Sequence, residues 1–327
     1  VRTIAASAGR FLRRFLVFTV IALVVLGFGL IVSEQGAKRP SFTVQAQHTA
    51  AQAAAELAGN AQLLAGNGRQ DIFHSASEVL NQHAALLRVP GPAGTTQPSP
   101  LSTHTQGTPD EGKFIAALRT SAERNLAVAE LADPGIARLL ASVGTAQWVL
   151  ANEISPAPES VPASEASPST PTTDPLCLEA DGSDTETLAV RSLRRAEHLA
   201  TYAYEVAAGR LGAPAFEDKI ALHRAATDQL AEFLKALCDE TPPTVEAYAL
   251  DPGYFTDPAS SLDTMESQII VAYADLISLS NGAVRHWAIS RLKSATLAQR
   301  HPGTAPDPTP GIEGHASPGP PLTGRTP

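Results

Sequence analysis

No alternating run of β-branched residues appears in this chain; where apolar residues recur over longer stretches, they recur at steps of three and four. That is the period of a helix that buries one face. The spacing predicts helices near 42–65, 70–88, 111–132 and 134–153, and again near 184–210, 214–239, 261–280 and 283–300. The punctuation agrees with the period. Asp110 and Glu111 suit a helix start, and Asp133-Pro134 reads as a cap followed by a first-turn proline. Asp184 with Thr187 opens the fifth helix, Gly212 and Pro214 separate it from the sixth, and Asn281-Gly282 marks the last turn. The fold class expected is all-α.

Prolines set the organisation. Residues 154–176 read ISPAPESVPASEASPSTPTTDPL, with six prolines among Ser and Thr. Such a segment cannot pack a core and is expected to be an extended linker. Residues 301–327 hold eight prolines and five glycines and are expected to form a disordered Pro/Gly tail. The chain therefore divides into residues 1–40, an N-terminal helical domain at 41–153, the linker at 154–176, a four-helix bundle at 177–300 and the tail at 301–327. In each half a long Pro-containing loop joins two helix pairs. FHSASEVLNQHAALL at 73–87 also echoes LHRAATDQLAEFLKAL at 222–237. Two antiparallel four-helix halves related by duplication fit this pattern.

Apolar residues make up 43% of the chain but aromatics only 5%, so the core must be built from Ala, Leu and Val. Two cysteines exclude a disulfide-rich scaffold and a thiolate zinc cluster. The net charge is −9, and it is unevenly spread. Residues 1–39 carry six basic residues against Glu34, a balance of +5, which leaves −14 on the rest. A body this acidic repels phosphate backbones, so no nucleic-acid partner is expected.

The basic end has its own reading. Residues 15–32 read FLVFTVIALVVLGFGLIV, 18 residues without a charge, behind Arg10, Arg13 and Arg14. That length suits a membrane helix better than a signal-peptide core, and a good small-x-small cleavage site is missing. The expectation is an uncleaved single-pass anchor with the N-terminus in the cytoplasm and the body outside it. The alternative is a signal peptide whose removal releases a secreted protein.

Motifs for chemistry are scarce. Gly107-Thr-Pro-Asp-Glu-Gly112-Lys113 imitates a phosphate-binding loop. Phe114 stands where a Ser or Thr must hold magnesium, and Asp110 and Glu111 would repel phosphate. GxGxxG, GxSxG, HExxH and CxxC are all absent. No catalytic residue is assigned, and the small ligand or protein partner is open.

His223 is the most informative position. It falls in the apolar series Phe216, Ile220, Thr227, Leu230, Leu234 and Leu237, on a stripe expected to be buried. A buried imidazole needs a partner. Glu197 and Tyr204, seven residues apart on the edge of the preceding stripe, can supply one, as can Glu266 on the next helix. A buried Glu–His–Tyr cluster is expected. It reads as a structural polar core or, with Glu197, His223 and Glu266 as ligands, as a weak site for one divalent metal ion. No other cofactor is expected. His198 and Glu205 fall on the opposite, solvated face, and His83 lies on a core stripe with Ile72, Ala76 and Val79. Cys177 precedes one helix and Cys238 ends the next, ends that meet in an antiparallel hairpin. Outside the cytoplasm they are expected to form a disulfide.

The run AEHLATYAYEVAAGRLGAP at 196–214, with LHRAATDQLAEFL at 222–234 and PPTVEAYAL at 242–250, resembles a ferritin-like family of unknown function. That family occurs in exported and envelope proteins of actinobacteria. The resemblance spans about residues 185–300 and implies a ferritin-like bundle, not an activity. Di-iron bundles carry a Glu on each of two helices and Glu-x-x-His on the other two. Here Ile220 stands before His223 and Ala283 before His286 at the Glu positions. Only Glu197, Glu266, His223 and His286 carry over. The function expected is therefore that of an envelope-facing, non-enzymatic binding or scaffolding module, with a degenerate metal-binding or redox bundle as the alternative.

Overall fold

The computed structural model describes residues 41–66, 70–89, 110–155, 184–212, 214–239, 247–300 and 306–312. The apolar run at 15–32, most of the linker and Cys177 lie outside the described residues. Eight α-helices account for nearly all of what is described, and no strand occurs among these residues. They are α1 (Phe42–Ala65), α2 (Gln70–Leu86), α3 (Glu111–Ala129), α4 (Pro134–Ile154), α5 (Asp184–Leu211), α6 (Glu217–Ala236), α7 (Pro258–Leu279) and α8 (Gly282–Ala298). Short 3-10 turns at Pro214–Phe216 and Pro252–Phe255 lead towards α6 and α7. None of the described helices is long and apolar enough to cross a membrane.

The helix ends follow local chemistry. Asp110 accepts from the Lys113 amide at 2.9 Å and Asp257 from the Ser260 amide at 3.1 Å, each satisfying a first-turn N–H that the helix itself cannot. Pro134 and Pro258 occupy first-turn positions, where a missing N–H costs nothing.

α1 to α4 pack on one another, and so do α5 to α8. The two sets do not stand apart as the expected boundary at 154–176 implies. Phe42–Pro327 is one compact unit, α4 packs on α7 and α8, and one core cluster runs from Leu140 and Val143 to Tyr273 and Leu292. The reason lies in α4. Between Arg138 and Glu153 it carries no charge, and residues 140–147 are buried all round. A helix without a polar face must be covered on every side. On one side Gly144 lets α3 approach: a Cβ there would lie 2.9 Å from Leu126 Cγ and 3.0 Å from the Ala122 carbonyl. On the other side polar bonds join the sets. Arg285 of α8 donates from Nη1 to the carbonyls of Glu130 at 3.2 Å and Ala132 at 2.8 Å, and Arg300 pairs with Glu153.

The expectation of disorder throughout 301–327 is corrected at residues 306–312. This segment is ordered, and residues 308–311 are buried. His83 donates from Nε2 to the Pro308 carbonyl at 2.7 Å, and Arg138 Nη2 donates to the Gly311 carbonyl at 2.7 Å. Composition suggested disorder because Pro and Gly make no core of their own. A groove between helices supplies one.

Candidate functional site

The second helix set buries a connected chain of charged and polar side chains. Glu197 is 0% and His223 1% exposed, and Glu266, Tyr204, Tyr273 and Arg291 are also buried. α5 supplies Glu197 and Tyr204, two turns apart on its inner face. α6 supplies Lys219 and His223, one turn apart. α7 supplies Glu266 and Tyr273, again two turns apart, and α8 supplies Arg291. All four helices of this set therefore meet at the cluster.

His223 stands between two carboxylates. Its Nδ1 lies 2.6 Å from Glu197 Oε2 and its Nε2 3.3 Å from Glu266 Oε1. A carboxylate can only accept, so an imidazole facing two of them donates from both nitrogens and carries a charge. Each Glu is engaged further. Tyr204 OH donates to Glu266 Oε1 at 2.7 Å and Lys219 Nζ to the same oxygen at 2.8 Å. Tyr273 OH donates to Glu197 Oε1, and Arg291 Nε donates to the Tyr273 oxygen at 3.1 Å. The Tyr204 ring stacks on the imidazole with centroids 5.4 Å apart.

Proton affinities follow from this placement. Burial works against a charged His223, but the hydrogen bonds and charges of Glu197 and Glu266 outweigh it and raise its pKa above the ordinary value. Burial works against a charged Glu266 as well, yet the bonds from His223, Lys219 and Tyr204 bring its pKa down to about 2. Burial and the neighbouring carboxylates push both phenols upward, so Tyr204 and Tyr273 stay protonated as donors.

The structure thus brings Glu197, His223, Glu266 and Tyr204 together. It leaves two other candidates elsewhere. His286 pairs with Glu130 at 2.9 Å on the surface, and His83 lies under residue 308. The cluster does not suit a di-iron centre. The two carboxylates sit at opposite nitrogens of one ring, so a single ion cannot take all three ligands, and Lys219 already places a cation on Glu266. Among the described residues no group of three or more His, Cys, Asp or Glu is arranged to hold a metal ion.

Lys219, Tyr273 and Arg291 were not anticipated, although the signal was present. Lys219 precedes His223 by four residues and Tyr273 follows Glu266 by seven, so each shares a stripe with an identified residue. Arg291 falls on the buried series Val284, Ala288 and Ala295 of α8. On the outer face, His198 Nδ1 lies 2.9 Å from Tyr248 OH, and Glu205 pairs with Arg224. Beside the cluster a cleft of about 380 Å³ opens between α5, α7 and residues 249–254, lined by Leu199, Leu250, Tyr254, Met265 and Gln268. Cys238 closes the end of α6, and the chain's other cysteine, Cys177, lies outside the described residues.

Residues 189–314 match the model of a family described as a domain of unknown function, DUF4439. The DUF4439 match begins in α5 and ends just past the docked segment at 306–312, so the family unit takes in both the charged cluster and that segment. No curated protein and no solved structure matches the chain.

Proposed function

We propose that this chain is a ferritin-like helical module without enzymatic activity, held at the membrane by residues 15–32, with its body outside the cytoplasm, where it acts by binding or scaffolding. The observation that carries the reading is the saturation of the buried cluster. Both carboxylates are engaged by protein donors, and His223, Lys219 and Arg291 supply the positive charge that a metal-binding carboxylate site would leave to its ion. Groups held in this way specify one packing of four helices and have no open position for a substrate.

Two features support the placement. The apolar run at 15–32 follows an arginine cluster, the pattern of a segment that keeps its N-terminus in the cytoplasm. Two cysteines placed by the sequence at meeting ends of a helix hairpin, Cys177 and Cys238, suit pairing in an oxidising compartment.

The test uses the full chain purified in detergent. Elemental analysis is expected to find metal well below one ion per chain, and added ferrous iron is expected to oxidise at the rate of buffer alone. Two irons per chain with oxygen-dependent oxidation would establish the metal-binding alternative instead. For the membrane reading, N-terminal sequencing of mature protein is expected to find the apolar run retained. A start between residues 30 and 47 would mean a cleaved signal.

A further inference from the structure

The seam between the two helix sets is closed by a peptide. Residues 308–311 read Pro-Thr-Pro-Gly and lie buried against α2, α4, α7 and α8. Two side chains from the first set hold the segment by its backbone. His83 donates to the carbonyl of residue 308, and Arg138 donates to that of residue 311, both at 2.7 Å. Arg138 also pairs through Nη1 with Asp275 of α7 at 2.7 Å, so one guanidinium ties α4, the segment and α7 together. Two of the segment's amides are held locally: Asp307 accepts from the Thr309 amide and the Thr309 carbonyl from the Ile312 amide, while the two prolines have no N–H and the buried Thr309 hydroxyl has no partner among the described residues.

Shape adds a second criterion. Gly311 has φ +80°, and a Cβ there would lie 2.5 Å from Ala274 Cβ and 3.0 Å from the Ile270 carbonyl. Only glycine fits. The groove therefore reads two carbonyls three residues apart and one position without a side chain. Emptied, it would leave the His83 Nε2 donor unpaired in a buried seam, and His83 Nδ1 already has no partner among the described residues. Such a groove favours being filled.

We infer that the seam is a peptide-binding slot for a Pro-x-Pro-Gly segment, filled in cis by residues 308–311, and that a segment of this chemistry supplied in trans takes the same place. The inference deepens the binding reading by naming a ligand class, and it depends on neither the metal nor the membrane result.

The test expels the resident segment and offers it back. Full-length Gly311→Val is mixed with a fluorescently labelled peptide of residues 306–312, and binding is followed by anisotropy. Saturable one-to-one binding is expected. At least tenfold weaker binding is expected for wild-type protein, for a peptide with Val at the Gly311 position, and for the variant that also carries His83→Ala. A Gly311→Val chain that keeps its helical circular dichroism and cooperative melting but binds no peptide would overturn the inference, as would binding indifferent to His83→Ala. Should Gly311→Val not fold, hydrogen exchange on wild-type protein decides. The amides of Thr309 and Ile312 are expected to exchange faster than the core of α7 and to exchange faster still when excess peptide displaces the resident segment. Exchange only through global unfolding would overturn it. A wild-type dimer that Gly311→Val abolishes would assign the trans segment to a second copy.

Discussion

His223 Nδ1 lies 2.6 Å from Glu197 Oε2, and solvent reaches neither side chain. Burying either charge alone is costly, and each makes the other tolerable. The pair is extended at both ends, to Lys219 through Glu266 and to Arg291 through Tyr273. Removing one member strands the rest. Glu197→Ala is therefore expected to cost about 3–5 kcal/mol in urea unfolding at pH 7, the range for breaking a buried ion pair from one side. Glu197→Met combined with His223→Leu is expected to cost clearly less than the sum of the single changes. Additivity would show that the two side chains do not act as a unit.

The same groups set a pH optimum. His223 has a folded pKa above 6.5, so its contribution is full below 6.5 and is lost as pH rises through the folded value. Glu266 has a folded pKa of about 2 against 4.5 unfolded, so its contribution is present above 4.5 and is lost as pH falls towards 2. His83 acts in the opposite sense to His223. Burial lowers its pKa to about 4, with the bond to residue 308 opposing; stability present above 6.5 falls away between 6.5 and 4. A shift of that size in a fully buried group corresponds to about 3 kcal/mol. Unfolding free energy is expected to peak near pH 6.5 and decline on both sides. His83→Phe should flatten the acidic limb between 6.5 and 4, and His223→Gln the basic limb. A profile flat from pH 4 to 9 would contradict both assignments.

Two neighbours on α8 should behave differently. Arg285 is buried and donates to the carbonyls of Ser280, Glu130 and Ala132. His286 pairs with Glu130 in solvent. Arg285→Ala is expected to cost about 2–4 kcal/mol, because buried carbonyls lose a charged donor. His286→Ala is expected to cost under about 1 kcal/mol. Thermal melts of the two variants give the comparison, and equal losses would mean that the join between the helix sets does not run through Arg285.

Cys238 closes α6 with φ +58°, a left-handed conformation that normally selects glycine. Pairing with Cys177 would close a loop of about sixty residues and contribute roughly 4 kcal/mol in the chain-entropy model. Non-reducing alkylation of folded protein is expected to label neither cysteine. With the bridge removed, Cys177→Ser with Cys238→Gly should melt higher than Cys177→Ser with Cys238→Ser. Relief of the left-handed strain is on the order of 1 kcal/mol. A higher melt for the Ser variant would sink the argument.

Sequence periodicity by itself determined the helices. Predicted spans such as 42–65 and 134–153 coincide with α1 and α4 to within a residue, because apolar steps of three and four and terminal Asp, Pro and Gly are local signals. It also determined that His223 would be buried and which helices offered partners for it, since a stripe fixes which side of a helix faces inward. Tertiary structure decided the rest. Which stripe faces which depends on long-range packing, so only the fold shows that Glu197 and Glu266 take opposite nitrogens of one imidazole and form a hydrogen-bonded chain. Only packing joined the two helix sets through α4, although its charge-free run from 139 to 152 was there to be read. The segment at 306–312 was illegible for a sharper reason. Its order comes from a groove formed by four helices distant in the chain, and nothing within Pro-Asp-Pro-Thr-Pro-Gly-Ile itself records that such a groove exists.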